Sequence, residues 1–171
     1  EGRPSQAPGS AVVCTLEGTR PMLAEIQALV SPSAFGMPRR MATGMDYNRV
    51  NLMIAVLEKR VGLSLQNQDA YVNIVGGIRL DEPAVDLALA LAIASAFRNQ
   101  PIDSALAAIG EVGLTGELRA VSQMERRLSE VLKLGFKACL IPQANLKNLR
   151  IPEGLRILPA KNLTEALGYI L

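Results

Sequence analysis

Wound as a helix, the stretch from Pro83 to Phe97 is apolar on nearly every side, so it has to be buried rather than laid along a surface. The Gly76-Gly77 pair stops the alternating strand pattern of Asp69 to Val75 just ahead of it. Other strand signals lie on both sides. Ala11 to Glu17 and Met22 to Ser31 read as a hairpin around Glu17-Gly18-Thr19-Arg20, and a short strand from Arg39 to Thr43 ends at Gly44. Leu106 to Gly110, Ala138 to Ile141 and Leu155 to Leu158 supply three more strands, and Leu114 to Leu118 a strand-turn-strand element.

Helices punctuate these strands. Asp46 is placed to cap one whose apolar residues Val50, Met53, Ile54, Leu57 and Val61 recur at helical spacing. Ser122-Gln123-Met124-Glu125 has the spacing of a capping box and predicts a helix to Leu134. A helix is expected over Gln143 to Leu149, and Asn162-Leu163-Thr164-Glu165 should cap a last one. Strands and helices mix without strict βαβ repetition, which predicts an α/β (α+β) fold.

Glu1 to Ser10 is rich in Pro, Gly and Ser and reads as a linker remnant, with one domain expected over residues 11–171. A hydrophobic content of 49% predicts a well-filled core. Cys14 and Cys139 lie in apolar surroundings and read as reduced core thiols, with a Cys14–Cys139 bridge as the other possibility. The chain has no histidine, which excludes Ser-His-Asp and Cys-His catalysis and imidazole metal sites. Two cysteines cannot make a structural zinc site, so no metal is expected. Leu87 to Phe97 is too short to span a bilayer, and the expectation is a cytoplasmic domain with no membrane contact.

The segment Asp81-Glu82-Pro83-Ala84-Val85-Asp86 resembles the Asp-Gly-Pro-Ser-Ala-Gly serine motif of Lon-type peptidases, with Ala84 in the place of the nucleophile. Gly110 to Arg119 resembles the second Lon signature, and an ungapped count from Gly110 puts the family's catalytic lysine at Glu125. The resemblance implies a Lon proteolytic-domain-like architecture, akin to ribosomal protein S5 domain 2, without a nucleophile or a base. Arg126 and Arg127 cannot stand in, because arginine stays protonated. Ser33 to Gly44 and Leu80 to Ala84 further resemble the C-terminal domain of the RadA (Sms) family of bacterial recombination ATPases.

That family joins a four-cysteine zinc element and a RecA-like ATPase to a Lon-like domain and assembles as hexamers that drive branch migration. The resemblance therefore implies a non-enzymatic domain that contributes DNA binding and ring scaffolding to a DNA repair ATPase, with a RecA-type recombinase as a further partner. No phosphate-loop motif G-x-x-x-x-G-K-[ST] is present. ATP, Mg and Zn are then expected only in parts of the family lying outside this sequence, and no cofactor here.

Formal charge is only +2, so nucleic-acid contact has to rest on local clusters. Arg39, Arg40 and Arg49 form one candidate DNA-binding patch; Arg119, Arg126 and Arg127 form a second, whose alternative is pairing with Glu117 and Glu130. Six aromatics and no tryptophan argue against a base-stacking platform. The bland reading of Asp81, Glu82, Ser122 and Glu125 is helix capping. Two other functions stay open: a pure oligomerisation or protein-interaction module without DNA contact, and an active Lon-type peptidase.

Overall fold

The computed structural model describes residues 7–34 and 36–170. Phe35, residues 1–6 of the expected linker and residue 171 lie outside the described residues. β1 (Ser10–Glu17) and β2 (Arg20–Pro32) pair antiparallel from Glu17 opposite Arg20 to Ser10 opposite Gln27. Gly18 turns the hairpin at φ +62°, a left-handed conformation that a side chain disfavours. β3 (Arg40–Thr43) and β4 (Gln68–Ile74) extend the sheet on one side of this hairpin. β5 (Leu106–Ala108), β8 (Ala138–Pro142) and β9 (Arg156–Ala160) extend it on the other.

The resulting seven-stranded order is β3-β4-β2-β1-β5-β8-β9. The β1-β2 and β2-β4 pairings are antiparallel and the other four are parallel. This is the expected mixed α/β class. A separate two-stranded ribbon pairs β6 (Glu111–Val112) with β7 (Leu118–Arg119).

α1 (Tyr47–Val56) is capped as expected: the Asp46 carboxylate accepts the Asn48 N–H at 2.9 Å. It continues into a π-helical turn, Leu57–Val61, and stops at Gly62. α2 (Asp86–Arg98) packs on β1 and β2 with every residue from Asp86 to Ser95 buried. Its apolar girdle thus matches the sequence reading, and each large side chain there contributes roughly 1.5–3 kcal/mol through burial. α3 (Met124–Lys133) also packs on β1 and β2, burying Met124, Arg127, Leu128 and Val131. In β1 all of Ala11, Val12, Val13 and Cys14 are buried although they alternate between faces, so the sheet is covered on both sides there.

Four local expectations change. The fold begins before residue 10: Gly9 donates its N–H to Ser95 Oγ at 2.9 Å and its carbonyl accepts the Ala28 N–H at 2.7 Å. A Cβ at Gly9 would lie 2.2 Å from the Ala28 carbonyl oxygen, so Gly9 and Ser10 belong to the domain rather than to a linker. The capping box at Ser122 does not form, because Gln123 takes a left-handed conformation (φ +56°) and α3 starts with no side-chain cap.

The third change falls on Gln143 to Leu149, where only a 3-10 turn, Gln143–Asn145, is present. The Asn145 amide instead bonds the Val121 backbone in both directions at 3.0 Å, and Asn148 is left-handed, which breaks helical propagation. The fourth concerns α4 (Leu163–Gly168): Asn162 caps it as expected, but the Glu165 carboxylate takes the Lys161 N–H rather than that of Asn162.

Candidate functional site

The chain reaches α2 through extended Glu82 and a 3-10 turn, Pro83–Val85, in which Pro83 occupies the first helical position that its fixed φ suits. Gly110 clasps this turn, donating to the Ala84 carbonyl and accepting from the Leu87 N–H, both at 3.0 Å. A Cβ on Gly110 would meet the Pro142 ring at 3.2 Å and Leu87 at 3.3 Å, so the close approach depends on glycine. The Ala84 methyl lines a cleft of about 260 Å³ whose walls include Glu82, Glu111, Ser122 and Arg127.

A methyl group cannot attack a carbonyl, and the cleft contains no lysine, histidine or cysteine to act as a base. Glu125 does not line it. Its carboxylate accepts the Arg150 N–H at 2.9 Å, anchoring the chain after β8. Ser122 reaches the cleft, and its carbonyl is held by Arg127 Nε at 2.9 Å. Neither Glu82 nor Asp81 caps α2: Glu82 pairs with Arg127 and Asp81 pairs with Arg79 at 3.0 Å.

Two ion pairs flank Ala84. On one side the Arg127 guanidinium, 2% exposed, meets the Glu82 carboxylate and donates to the Cys14 carbonyl at 3.1 Å. On the other, Arg49 of α1 meets Asp86 of α2, whose second carboxylate oxygen accepts the Val112 N–H at 3.1 Å. Burial pushes the Asp86 carboxyl above the ordinary aspartate value, against the pull of the Val112 N–H and Arg49. Such pairs fix the relative position of elements far apart in sequence. Losing one partner strands a buried charge.

The six arginines singled out in the sequence therefore have different environments. Arg127 is not a surface residue, and Arg49 is only a quarter exposed and occupied by Asp86, which corrects the expectation that both face solvent. Arg119 is exposed and takes the alternative reading, pairing with Glu117 at 2.9 Å and reaching Glu111 at 3.6 Å. The Glu117 carboxyl is lowered to about 2 by the Thr115 hydroxyl, its own backbone N–H and Arg119. Arg40 donates to the Leu65 carbonyl at 3.1 Å. Arg39 is exposed, and Arg126 is exposed with one bond to the Thr19 carbonyl at 2.9 Å.

Sequence reasoning passed over a more one-sided stretch of charge. Between residues 133 and 161 the exposed side chains Lys133, Lys137, Lys147, Arg150, Arg156 and Lys161 stand against a single acid, Glu153. Among the described residues none of these six is in an ion pair. Lys147 and Arg126 line one groove with Asn145 and Asn148; Arg126 and Lys133 line the next along α3, together with Glu125 and Glu130. Charge counting in windows could have found this stretch, whose balance exceeds that of either predicted patch.

Cys14 and Cys139 are both buried free thiols. Register places Ala107 opposite both Val12 and Cys139, so β5 separates the two cysteine strands and their backbones stand roughly 10 Å apart. That exceeds the ~7 Å limit for a disulfide. Burial raises the Cys14 thiol to about 12 and raises Cys139 as well. No helix among the described residues is long and apolar enough to cross a membrane, and no group of acidic or cysteine side chains there could hold a metal ion.

Residues 29–145 match the family described as ChlI, subunit ChlI of Mg-chelatase, and the chain belongs to that family. The sequence is also similar to proteins named DNA repair protein RadA. It is 57% identical over 167 residues, 98% of this chain, to that of Bacillus subtilis (strain 168), and 56% identical over its whole length to that of Halalkalibacterium halodurans. The counterpart from Streptococcus pyogenes serotype M1 is 50% identical over 170 residues. The chain spans 36–38% of the length of these relatives, so it corresponds to one part of a RadA protein.

Proposed function

We propose that this domain supplies sequence-independent DNA contact, through the basic face along α3, to a longer RadA-type DNA repair ATPase, and helps to support its ring. The observation that carries this reading is the placement of Arg126, Lys133 and Lys147 along adjoining grooves with no ion pair engaging them among the described residues. Phosphate contact by such cations is non-specific, releases counterions and weakens with salt. Names of the relatives place them in DNA repair. Arg39 remains a second, separate candidate for phosphate; Arg49, Arg119 and Arg127 are withdrawn because acids already occupy them.

The domain acts here as a former peptidase frame: Ala84 stands in the place of the nucleophile, Glu125 lies outside the cleft, and the Arg127–Glu82 pair forms part of its wall. ATP, Mg and Zn chemistry, hexamer formation and contact with a recombinase belong, in this reading, to the longer protein. Fluorescence anisotropy with a labelled oligonucleotide tests the DNA contact. Arg126→Glu with Lys147→Glu should abolish most binding, whereas Arg119→Ala should leave it close to wild type.

A further inference from the structure

Half of the main sheet is covered on one face only. Along β4 the residues alternate: Ala70, Val72 and Ile74 are buried, while Tyr71 is half-buried and Asn73 is exposed. The register extends this pattern sideways into ordered rows. Leu29, Tyr71 and Met41 are direct cross-strand neighbours on β2, β4 and β3, and Gln27, Asn73 and Thr43 form the next row. One step the other way, Arg39 stands beside Asp69, which accepts its backbone N–H at 2.7 Å. Leu29 and Met41 are 62% and 58% exposed, and the two rows floor an open groove of about 370 Å³.

We infer that this face takes single-stranded nucleic acid, with a base lying on Tyr71 between Leu29 and Met41. The inference rests on the DNA-contact reading above and gives it a strand preference. Rows two residues apart on a strand are separated by roughly 6.8 Å, and neighbouring strands by about 4.8 Å. Across that distance the face presents a cation, then an aromatic ring in an aliphatic setting, then a hydroxyl and amides. A nucleotide offers its phosphate, its flat base and the base's hydrogen-bonding edge in the same order.

The polar groups needed are available. The Asn73 amide, the Thr43 hydroxyl and the Arg39 guanidinium have no hydrogen-bond or ionic partner among the described residues. The acids nearby are already engaged, since Glu25 accepts from Ser10 Oγ at 2.5 Å and from Gln27 Nε2 at 3.2 Å. On the three strands the apolar row Leu29–Tyr71–Met41 lies between the polar pair Asp69–Arg39 and the polar row Gln27–Asn73–Thr43, with Ala7 and Pro8 closing one side of the groove. A duplex keeps its bases stacked on each other and could not lay one on Tyr71; a single strand can. A sequence with few aromatics therefore still builds a stacking surface, because the sheet register puts one tyrosine at its centre.

The test uses the 171-residue chain with fluorescein-labelled oligothymidine and a duplex of equal length. Tyr71→Ser should weaken single-strand binding about tenfold, Tyr71→Phe should retain it, and neither should alter duplex affinity. Urea midpoints close to wild type confirm that the variants fold. Photocrosslinking of iodouracil-substituted oligothymidine to the unmutated chain should map to Tyr71, which checks the contact without a substitution. If wild type binds but depends only on Arg126 and Lys147, with Tyr71→Ser unchanged and crosslinks elsewhere, this inference is overturned and the α3 reading stands. If wild type binds no DNA, both fall. A change in sedimentation on Tyr71→Ser, with DNA binding unchanged, would assign the face to a second copy and overturn it as well.

Discussion

The Arg127 guanidinium and the Glu82 carboxylate, 45 residues apart in sequence, meet beside the Ala84 methyl, and Arg127 also holds the carbonyls of Cys14 and Ser122. One buried side chain thereby ties α3 to β1, to the loop after Val121 and to the turn before α2. Arg127→Met should cost roughly 3–5 kcal/mol of stability, the range for breaking a buried pair from one side. Glu82→Gln in the same chain should recover part of that loss, and Arg127→Lys should not restore wild type, since an ammonium cannot reproduce the guanidinium fork. Urea unfolding of these variants together with the Glu82→Gln single variant closes the cycle; strict additivity would show that the pair is not coupled.

Restoring a hydroxyl at position 84 should not restore a reaction. Ala84→Ser returns the hydroxyl but not the lysine of the resembled dyad: the cleft offers only the carboxylates Glu82, held by Arg127, and Glu111, reached by Arg119, and Glu125 is committed to the Arg150 backbone. Neither Ala84→Ser nor Ala84→Ser with Glu125→Lys should release fluorophore from labelled casein above the wild-type background. Turnover by either variant would show that the frame retains more of a peptidase than its residues suggest.

Asp86 gives the fold a pH signature of definite sign. Burial raises its folded-state pKa above the ordinary 3.8, so the folded chain holds this proton more tightly than the unfolded chain does. Its contribution is fully present below the unfolded value and is lost as pH rises through the folded value. The unfolding free energy of wild type minus that of Asp86→Asn should therefore decline as pH rises from the acid range toward neutrality. A difference that grows over that interval would contradict the burial argument.

The thiols should be silent in the native state. With Cys14 raised to about 12 and both cysteines buried on strands separated by β5, neither thiolate nor access is available at neutral pH. Ellman's reagent should titrate no thiol in the folded chain and two in guanidinium. Fast reaction of one equivalent without denaturant would place Cys14 or Cys139 nearer the surface than β1 and β8 allow.

Periodicity made the sheet, the Asp46 cap and the apolar helix behind Ala84 readable, because those features depend on residues close in sequence. What stayed hidden was tertiary. Ser122 and Glu125 have the spacing of a capping box, but Arg127 takes the Ser122 carbonyl and Arg150 takes the Glu125 carboxylate, partners that no local window contains. Arg127 looked like half of a surface pair with Arg126, although its place on α3 turns it inward onto Glu82. Asp86 was the available clue. A lone carboxylate at the head of an otherwise apolar helix needs a buried partner, and Arg49 is that partner. The DNA candidates shifted for the same reason: Arg49, Arg119 and Arg127 are consumed by acids, whereas Arg126, Lys133 and Lys147 are in no ion pair among the described residues.

The salt dependence of DNA binding tests the basic face of α3 most directly. Anisotropy titrations of wild type and of Arg126→Ala with Lys133→Ala and Lys147→Ala, across a series of salt concentrations, give the slope of log affinity against log salt. The slope should flatten by about 0.7–0.9 for each phosphate contact removed, with affinity reduced at every salt concentration. Superimposable lines for the two proteins, or no binding by wild type at low salt, would contradict phosphate contact at this face.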